Sequence, residues 1–119
     1  MRTSESPPLP VSAPPPKVVV AAAMARDAKS VRRQLEGRYP LVECATAAEL
    51  LARAADSLHA CLVIVDPLPD RSTPELLAAL ATADGRLAHA VVVIGDGRDT
   101  DVAIRVLKSG AQEYLHKRG

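Results

Sequence analysis

The stretch Ala60-Cys61-Leu62-Val63-Ile64-Val65 is an unbroken apolar run that leads directly into Asp66. A short apolar run without alternating polar residues is typical of a strand buried on both faces, as in a parallel sheet. Two more runs of this kind end in small residues: Lys17 to Ala23, which closes with Ala22-Ala23, and Ala90 to Ile94, which is followed by Gly95. Only one of these three predicted strands is followed directly by an acid. This contrast indicates a regulatory fold whose catalytic pocket has lost part of its functional side chains.

Helix-like segments alternate with these strands. Two shorter strands are predicted at Leu41 to Ala45, which suits a sheet edge, and at Gln112 to His116. Helices are predicted at Ala25 to Glu36, from the capping box Thr46-Ala47-Ala48-Glu49 to about Ser57, from an N-cap at Thr73, and from Asp99 or Thr100 to Lys108. The repeated strand-helix-strand units predict an α/β fold, a doubly wound five-stranded parallel sheet with helices on both faces.

Composition limits the range of possible functions. The chain of 119 residues suffices for one domain, and 48% of its residues are hydrophobic. Residues 1–16 are rich in proline and are predicted to be a disordered tail before a domain at 17–119. The net charge of +1 gives no reason to expect nucleic acid or an anionic membrane as a partner, and no apolar run could span a bilayer. With no secretory signal, and with Cys44 and Cys61 interpreted as reduced buried thiols, we expect a cytoplasmic protein without a metal site.

The carboxyl ends of the strands are where an open parallel sheet places its ligands. Five residues are predicted there: Ala22, Ala23, Asp66, Gly95 and Lys117. Asp66 and Lys117 form a charge pair if the strands that carry them lie close together. The alternative is that the acid and the terminal lysine never meet.

The segment from Leu107 to Lys117 resembles the C-terminal half of response-regulator receiver (CheY-like) domains. Those domains have Lys-x-Gly-Ala, an acid, an aromatic residue, Leu, one more residue and Lys, and the segment from Val63 to Pro69 resembles their phosphoacceptor strand and loop. The resemblance covers residues 17 to 117 and implies the strand order 2-1-3-4-5. It also implies that Asp66 matches the phosphorylated aspartate, Lys117 the lysine that contacts the phosphoryl group, and Tyr114 the aromatic switch residue.

The departures from that pattern concern the chemistry of the pocket. Ala22 and Ala23 stand where the family has the acidic pair that binds Mg²⁺, and Gly95 stands where it has a serine or threonine. Mg²⁺ requires oxygen ligands, and transfer of a phosphoryl group requires the cation. We therefore expect a divergent pseudo-receiver that is not an enzyme, binds Mg²⁺ weakly or not at all, and keeps Asp66 and Lys117 as a structural pair. Asp27 is either a displaced Mg²⁺ ligand or an ordinary first-turn acid.

The resemblance implies a signal-transduction module that acts through protein contacts. No helix is predicted after the fifth strand, so an apolar surface should be open to an effector domain, a protein partner or a second copy of the chain. Val106, Leu107 and Tyr114 are the candidate residues of that surface, and their burial in the core is the plainer interpretation.

Two other functions stay open. One is a two-component receiver phosphorylated on Asp66 by a histidine kinase. The other is the N-terminal scaffold domain of a pilus-assembly MinD-like ATPase, whose fourth strand also tends to end in Ile-Gly followed by an acid. A nucleotide-binding domain is excluded because Ala21 to Ala25 contains no glycine.

Overall fold

The computed structural model describes residues 17–35, 37–56, 60–95, 100–108 and 110–116. The strands are β1 (Val18–Ala22), β2 (Leu41–Cys44), β3 (Cys61–Val65), β4 (Ala90–Gly95) and β5 (Glu113–His116). The helices are α1 (Ala25–Leu35), α2 (Ala47–Asp56), α3 (Thr73–Leu80) and α4 (Thr100–Lys108). Every predicted element is present, and the bounds that can be compared differ by one or two residues. The predicted tail 1–16 and the predicted ends at Glu36, Ser57 and Asp99 lie outside the described residues.

The five strands form one parallel sheet in the order β2-β1-β3-β4-β5. Val65 is in register with Ala22 on one side and with Ile94 on the other, and Gly95 is in register with His116. The carboxyl ends of β1, β3, β4 and β5 therefore meet along one edge of the sheet. The predicted α/β class, strand order and edge position of the second strand are confirmed.

The helices cover the two faces of the sheet unequally. The larger cluster of buried side chains joins one sheet face to α2, α3 and α4, through residues such as Leu50, Leu76 and Val106. The smaller cluster joins the opposite face to α1, through Ala28 and Val31. Each aliphatic side chain that is removed from water in this way stabilises the fold by about 1.5 to 3 kcal/mol.

Part of the second face has little cover. Val92 and Ile94 alternate with the fully buried Val91 and Val93, and they are only partly buried. Leu115, the register partner of Ile94, is 42% exposed. We call Val92, Ile94 and Leu115 the open sheet face. It lies over β4 and β5, and of its three residues Ile94 packs against the smaller cluster.

The start of α3 differs from the prediction. Its N-cap is Ser72, and Thr73 is the first helical residue. The Ser72 hydroxyl accepts a hydrogen bond from the Glu75 amide at 3.3 Å, and the Glu75 carboxylate accepts one from the Ser72 amide at 3.1 Å. This reciprocal capping box satisfies two amides at the helix start. Because Ser72 caps the helix, the side chain of Thr73 is not needed for capping and is buried in the protein, where the residue is 1% exposed.

The two cysteines are free thiols. Cys44 is buried, as predicted, and burial raises the pKa of its thiol to about 11. Cys61 is only half-buried, because it lies at the start of β3 on the face that α1 covers incompletely, and desolvation raises its thiol pKa as well. Among the helices that the structure describes, none has the length and apolar character needed to cross a membrane.

Candidate functional site

Asp66 lies at the carboxyl edge of the sheet, directly after β3. Its amide donates to the Ile94 carbonyl at 2.8 Å, which extends the β3–β4 pairing by one residue and fixes the position of the Asp66 backbone. The side chain is half-buried. The single acid that follows a buried strand is therefore held next to the ends of β1 and β4, where the sequence placed it.

The Asp66 carboxylate has a hydrogen-bond donor that was not predicted. The hydroxyl of Thr73 donates to Oδ1 of Asp66 at 2.5 Å. The bond joins the end of β3 to the first turn of α3 and closes the loop between them. The available signal was the spacing Ser72-x-x-Glu75, which repeats that of Thr46-x-x-Glu49 and assigns the cap to Ser72.

Gly95 and Tyr114 occupy the neighbouring position on the edge. A β-carbon added at residue 95 would lie 2.6 Å from Cζ of Tyr114 and nearer still to the phenol oxygen. Real β-carbons do not approach other atoms so closely, so Tyr114 fills the space that any side chain at residue 95 would need. Gly95, at the position of the family's serine or threonine, and Tyr114, which matches its aromatic switch residue, are thus in contact.

The end of β1 offers no oxygen ligands from side chains. Ala22 is buried and Ala23 is exposed. Both line a shallow depression of about 380 Å³ between α1 and α2, with Glu43 and Glu49 among its other residues. Both carboxylates already have partners: Glu43 pairs with Arg32 at 2.5 Å, and Glu49 accepts from the Ala45 amide at 3.1 Å.

The described residues at these strand ends supply few oxygen ligands for a magnesium ion. Mg²⁺ requires octahedral coordination by oxygen, usually with one or two carboxylates. The described segments hold no group of three or more His, Cys, Asp or Glu residues that could bind a metal ion. Asp27 lies in the first turn of α1, where its amide donates to the Met24 carbonyl at 3.0 Å. That position is the ordinary one for an acid near the positive end of a helix.

Of the predicted interaction surface, only part lies at the surface. Val106 is fully buried in the larger cluster, on the side of α4 that faces the sheet, which agrees with the plainer interpretation of this residue as part of the core. Tyr114 is half-buried and packs against the same cluster. Leu107 is 45% exposed, as a contact residue should be. Lys117 lies outside the described residues, and its pairing with Asp66 stays a prediction.

A second acid near the edge has a structural role. Asp70 accepts hydrogen bonds from the amides of Ala47 at 2.7 Å and Ala48 at 2.9 Å, at the start of α2. These two bonds, that of Ala47 first, lower the pKa of the Asp70 carboxyl. The loop after Asp66 is thus held at one end by Thr73 and along its length by Asp70. Its conformation depends on α2 and α3 together.

Comparison with known proteins adds information at the level of the fold. No protein-family model and no curated protein matches the chain. Among solved structures, the Francisella response regulator 1452 receiver domain is 24% identical with a TM-score of 0.74, and the match covers 86% of this chain and 84% of that one. A CheY-like receiver domain protein from Methanospirillum hungatei is 21% identical with a TM-score of 0.74, over 88% and 83%.

A third similar structure is the signal receiver domain of a protein described as a LuxO repressor, from Vibrio parahaemolyticus. It is 17% identical with a TM-score of 0.76, and the match covers 88% of this chain and 80% of that one. Such a likeness at low identity concerns the path of the backbone and leaves the pocket chemistry open. The chain has the fold of response-regulator receiver (CheY-like) domains.

Proposed function

We propose that the chain is a cytoplasmic signalling module of the pseudo-receiver type, which acts through protein contacts without phosphorylation of Asp66 and is not itself an enzyme. One observation carries the proposal. Among the described residues at the strand ends, Asp66 supplies the carboxylate; it accepts a hydrogen bond from Thr73 and lies beside Ala22, Ala23 and Gly95, which offer no side-chain ligand.

The chemistry of phosphoryl transfer supports this proposal. Transfer to a carboxylate needs a cation that neutralises the charge on the equatorial oxygens. One carboxylate, supplemented by carbonyls and water, is a poor magnesium site. In addition, the hydrogen bond that Oδ1 of Asp66 accepts from the buried Thr73 hydroxyl draws charge from the carboxylate and makes it a weaker nucleophile.

The partner surface that we propose runs around β5. It consists of the open sheet face together with Ile104 and Leu107 of α4, each 45% exposed. Apolar side chains that stay exposed on both sides of β5 are what a protein contact would bury. An effector domain, a separate protein or a second copy of the chain would bury it.

The test uses the full chain labelled with ¹⁵N. Beryllofluoride with Mg²⁺ should leave the amide signals around Asp66 unchanged, and acetyl phosphate with Mg²⁺ should add no mass. The variant Ala22→Asp/Ala23→Asp is the matched control, because it restores two carboxylates at the end of β1 and should gain Mg²⁺-dependent shifts. A mass gain in the native chain that depends on Mg²⁺ and disappears in Asp66→Asn would show a working two-component receiver instead.

A further inference from the structure

The open sheet face continues toward the start of β1. Cys61 and Ala90 are register partners at the starts of β3 and β4, and Ala90 lies two residues before Val92, so it is on the same face. Both are half-buried, and Cys61 packs against the smaller cluster, as Ile94 does. We call Cys61, Ala90 and the open sheet face together the apolar run. It crosses the sheet from the start of β3 to β5.

The chain enters the sheet beside one end of the apolar run. The Cys61 amide donates to the Lys17 carbonyl at 2.9 Å, so the residue that precedes β1 is tied to the first residue of β3. Residues 7–16 are joined to the sheet at Lys17. A segment that is tethered so close to a surface meets it at an effective concentration on the order of 1 mM.

The length of this segment matches that of the apolar run. Leu115 lies two strands away from Cys61 and, because Cys61 pairs with Ala90 and Leu115 with Ile94, four residues further along the strand direction. A strand spacing of about 4.8 Å and a rise of about 3.3 Å per residue make this diagonal about 16 Å. Residues 10–16 span about 20 Å as a polyproline II helix. The segment is therefore long enough to follow the whole run.

The composition of the segment suits an apolar face. Six of the ten residues 7–16 are prolines, and none is charged. Proline has no amide hydrogen, so the segment is a poor candidate for an added strand beside β5. In a polyproline II helix every third residue returns to the same side, and positions 7, 10, 13 and 16 and positions 8, 11 and 14 are all apolar. Two apolar sides can thus face the sheet, while the third side, which carries Ser12, faces water.

We infer that residues 7–16 lie across the open sheet face of their own chain and cover it. The disordered tail that the sequence predicts is a segment without a core of its own, and the apolar run supplies one. Prolines restrict the segment before it binds, so less conformational entropy is lost than with an ordinary peptide. The regulatory consequence rests on the proposed function: a partner that uses this surface must first displace the segment.

The small size of the open sheet face favours the chain's own segment over a second copy. A stable interface buries about 800 Å² on each partner. Of the three side chains of this face, only Leu115 is classed as exposed, and Val92 and Ile94 are half-buried. A tethered segment needs less area, because the tether removes most of the entropy cost of association.

The experiment uses the full chain with ¹³C-labelled methyl groups, without Mg²⁺ or a phosphoryl donor. Nuclear Overhauser effects between the methyl groups of Val11 and those of the open sheet face report the contact directly. Leu115→Ser removes the most exposed side chain of the face. Leu107→Ser is the matched control, because Leu107 is exposed to a similar extent on α4, which covers the opposite face of the sheet.

A second pair of variants changes the segment itself. Pro10→Ser/Val11→Ser/Pro14→Ser makes it more polar, and Arg2→Ser/Thr3→Ser/Glu5→Ser introduces as many serines outside residues 7–16. Here the measurement is the broadening of the Ile94 methyl signals by a soluble gadolinium chelate. A covered face is protected from the chelate, and an uncovered one is not.

We expect the Overhauser effects in the native chain, a loss of at least about threefold in Leu115→Ser, and little change in Leu107→Ser. Broadening should rise at least about twofold in the first serine variant alone. The effects should persist when the labelled chain is diluted with unlabelled chain, because they arise within one molecule. Their absence, or equal losses in Leu115→Ser and Leu107→Ser, would overturn the inference. Effects found only between differently labelled chains would assign the face to a second copy and overturn the choice of segment. None of these results depends on Asp66 or Mg²⁺, so the proposed function stands or fails separately, by the beryllofluoride test.

Discussion

The hydroxyl of Thr73 donates to the carboxylate of Asp66 at 2.5 Å, across the loop that joins β3 to α3. Thr73 is 1% exposed, so its hydroxyl has little access to water, and the half-buried carboxylate is its acceptor in the fold. A hydrogen bond to a charged group stabilises a fold by about 1.5 to 3 kcal/mol. Asp66 therefore anchors the first turn of α3 to the end of β3.

Replacing Thr73 with valine tests this structural role. Thr73→Val keeps the volume of the side chain and removes the donor, so we expect the free energy of unfolding to fall by about 1 to 3 kcal/mol. Chemical denaturation measures the loss. The double variant Thr73→Val/Asp66→Ala should lose clearly less than the sum of the single variants, because both changes break the same bond. Additive losses would mean that the two groups do not interact in solution.

The close packing of Tyr114 against Gly95 predicts that Gly95→Ala changes the free energy of unfolding differently with and without the tyrosine. Gly95→Ala places a β-carbon where the Tyr114 ring lies, so the native chain should lose about 1 to 3 kcal/mol through overpacking. In a Tyr114→Leu background that collision is absent, and the same change should be neutral or stabilising, because alanine restricts the unfolded chain. If Gly95→Ala has the same effect in both backgrounds, the tyrosine does not fill this space.

The stability losses of Leu76→Ala and Leu107→Ala should differ, because the first leucine lies in the core and the second at the surface. Leu76 is fully buried, so Leu76→Ala should cost about 2 to 5 kcal/mol. Leu107 is 45% exposed, and Leu107→Ala should cost about 1 kcal/mol or less. If Leu107 belongs to a partner surface, the same variant should weaken that contact while the fold stays intact. A core-sized loss of stability at Leu107 would remove it from the surface.

The architecture was accessible from the sequence because its signals are local. The runs that became β1, β3 and β4 are apolar without interruption, since helices cover most of both faces of a parallel sheet. Small turn residues and capping pairs then placed the helices to within a residue or two. The error at Thr73 has a local cause as well: Ser72 and Thr73 are both good N-cap residues, and only the spacing to Glu75 separates them.

The contacts of the candidate site were less accessible because they join distant parts of the chain. Asp70 caps a helix that begins 23 residues earlier, and no pattern in the sequence signals such a bond. Tyr114 reaches diagonally across the sheet to Gly95. In the sequence, this glycine indicated only that a hydroxyl of the family pattern is missing. In the structure it also makes room for the tyrosine ring. The sequence alone could not separate buried Val106 from exposed Leu107, because the apolar residues of α4 occupy both its inner and its outer side.

Asp70 leads to a prediction about pH. Its carboxyl pKa is lowered in the fold from an ordinary value of 3.8, first by the Ala47 amide and then by the Ala48 amide. A carboxyl whose pKa is depressed by folding contributes stability that is fully present above the unfolded pKa and is lost as pH falls through the folded one. The difference in unfolding free energy between the native chain and Asp70→Ala should thus be constant near neutrality and shrink below about pH 4.

The comparison must be between variants, because other acids change over the same range. The pKa of Glu75 is lowered by the Ser72 hydroxyl, and that of Asp84 by the Thr82 hydroxyl, so the native chain loses stability in acid for several reasons. Asp56→Ala provides the control: Asp56 is the exposed last residue of α2, where a negative charge opposes the helix dipole, so its removal should not destabilise the chain at pH 7. If Asp70→Ala destabilises the chain equally at pH 7 and at pH 3, the carboxylate charge is not what holds the start of α2.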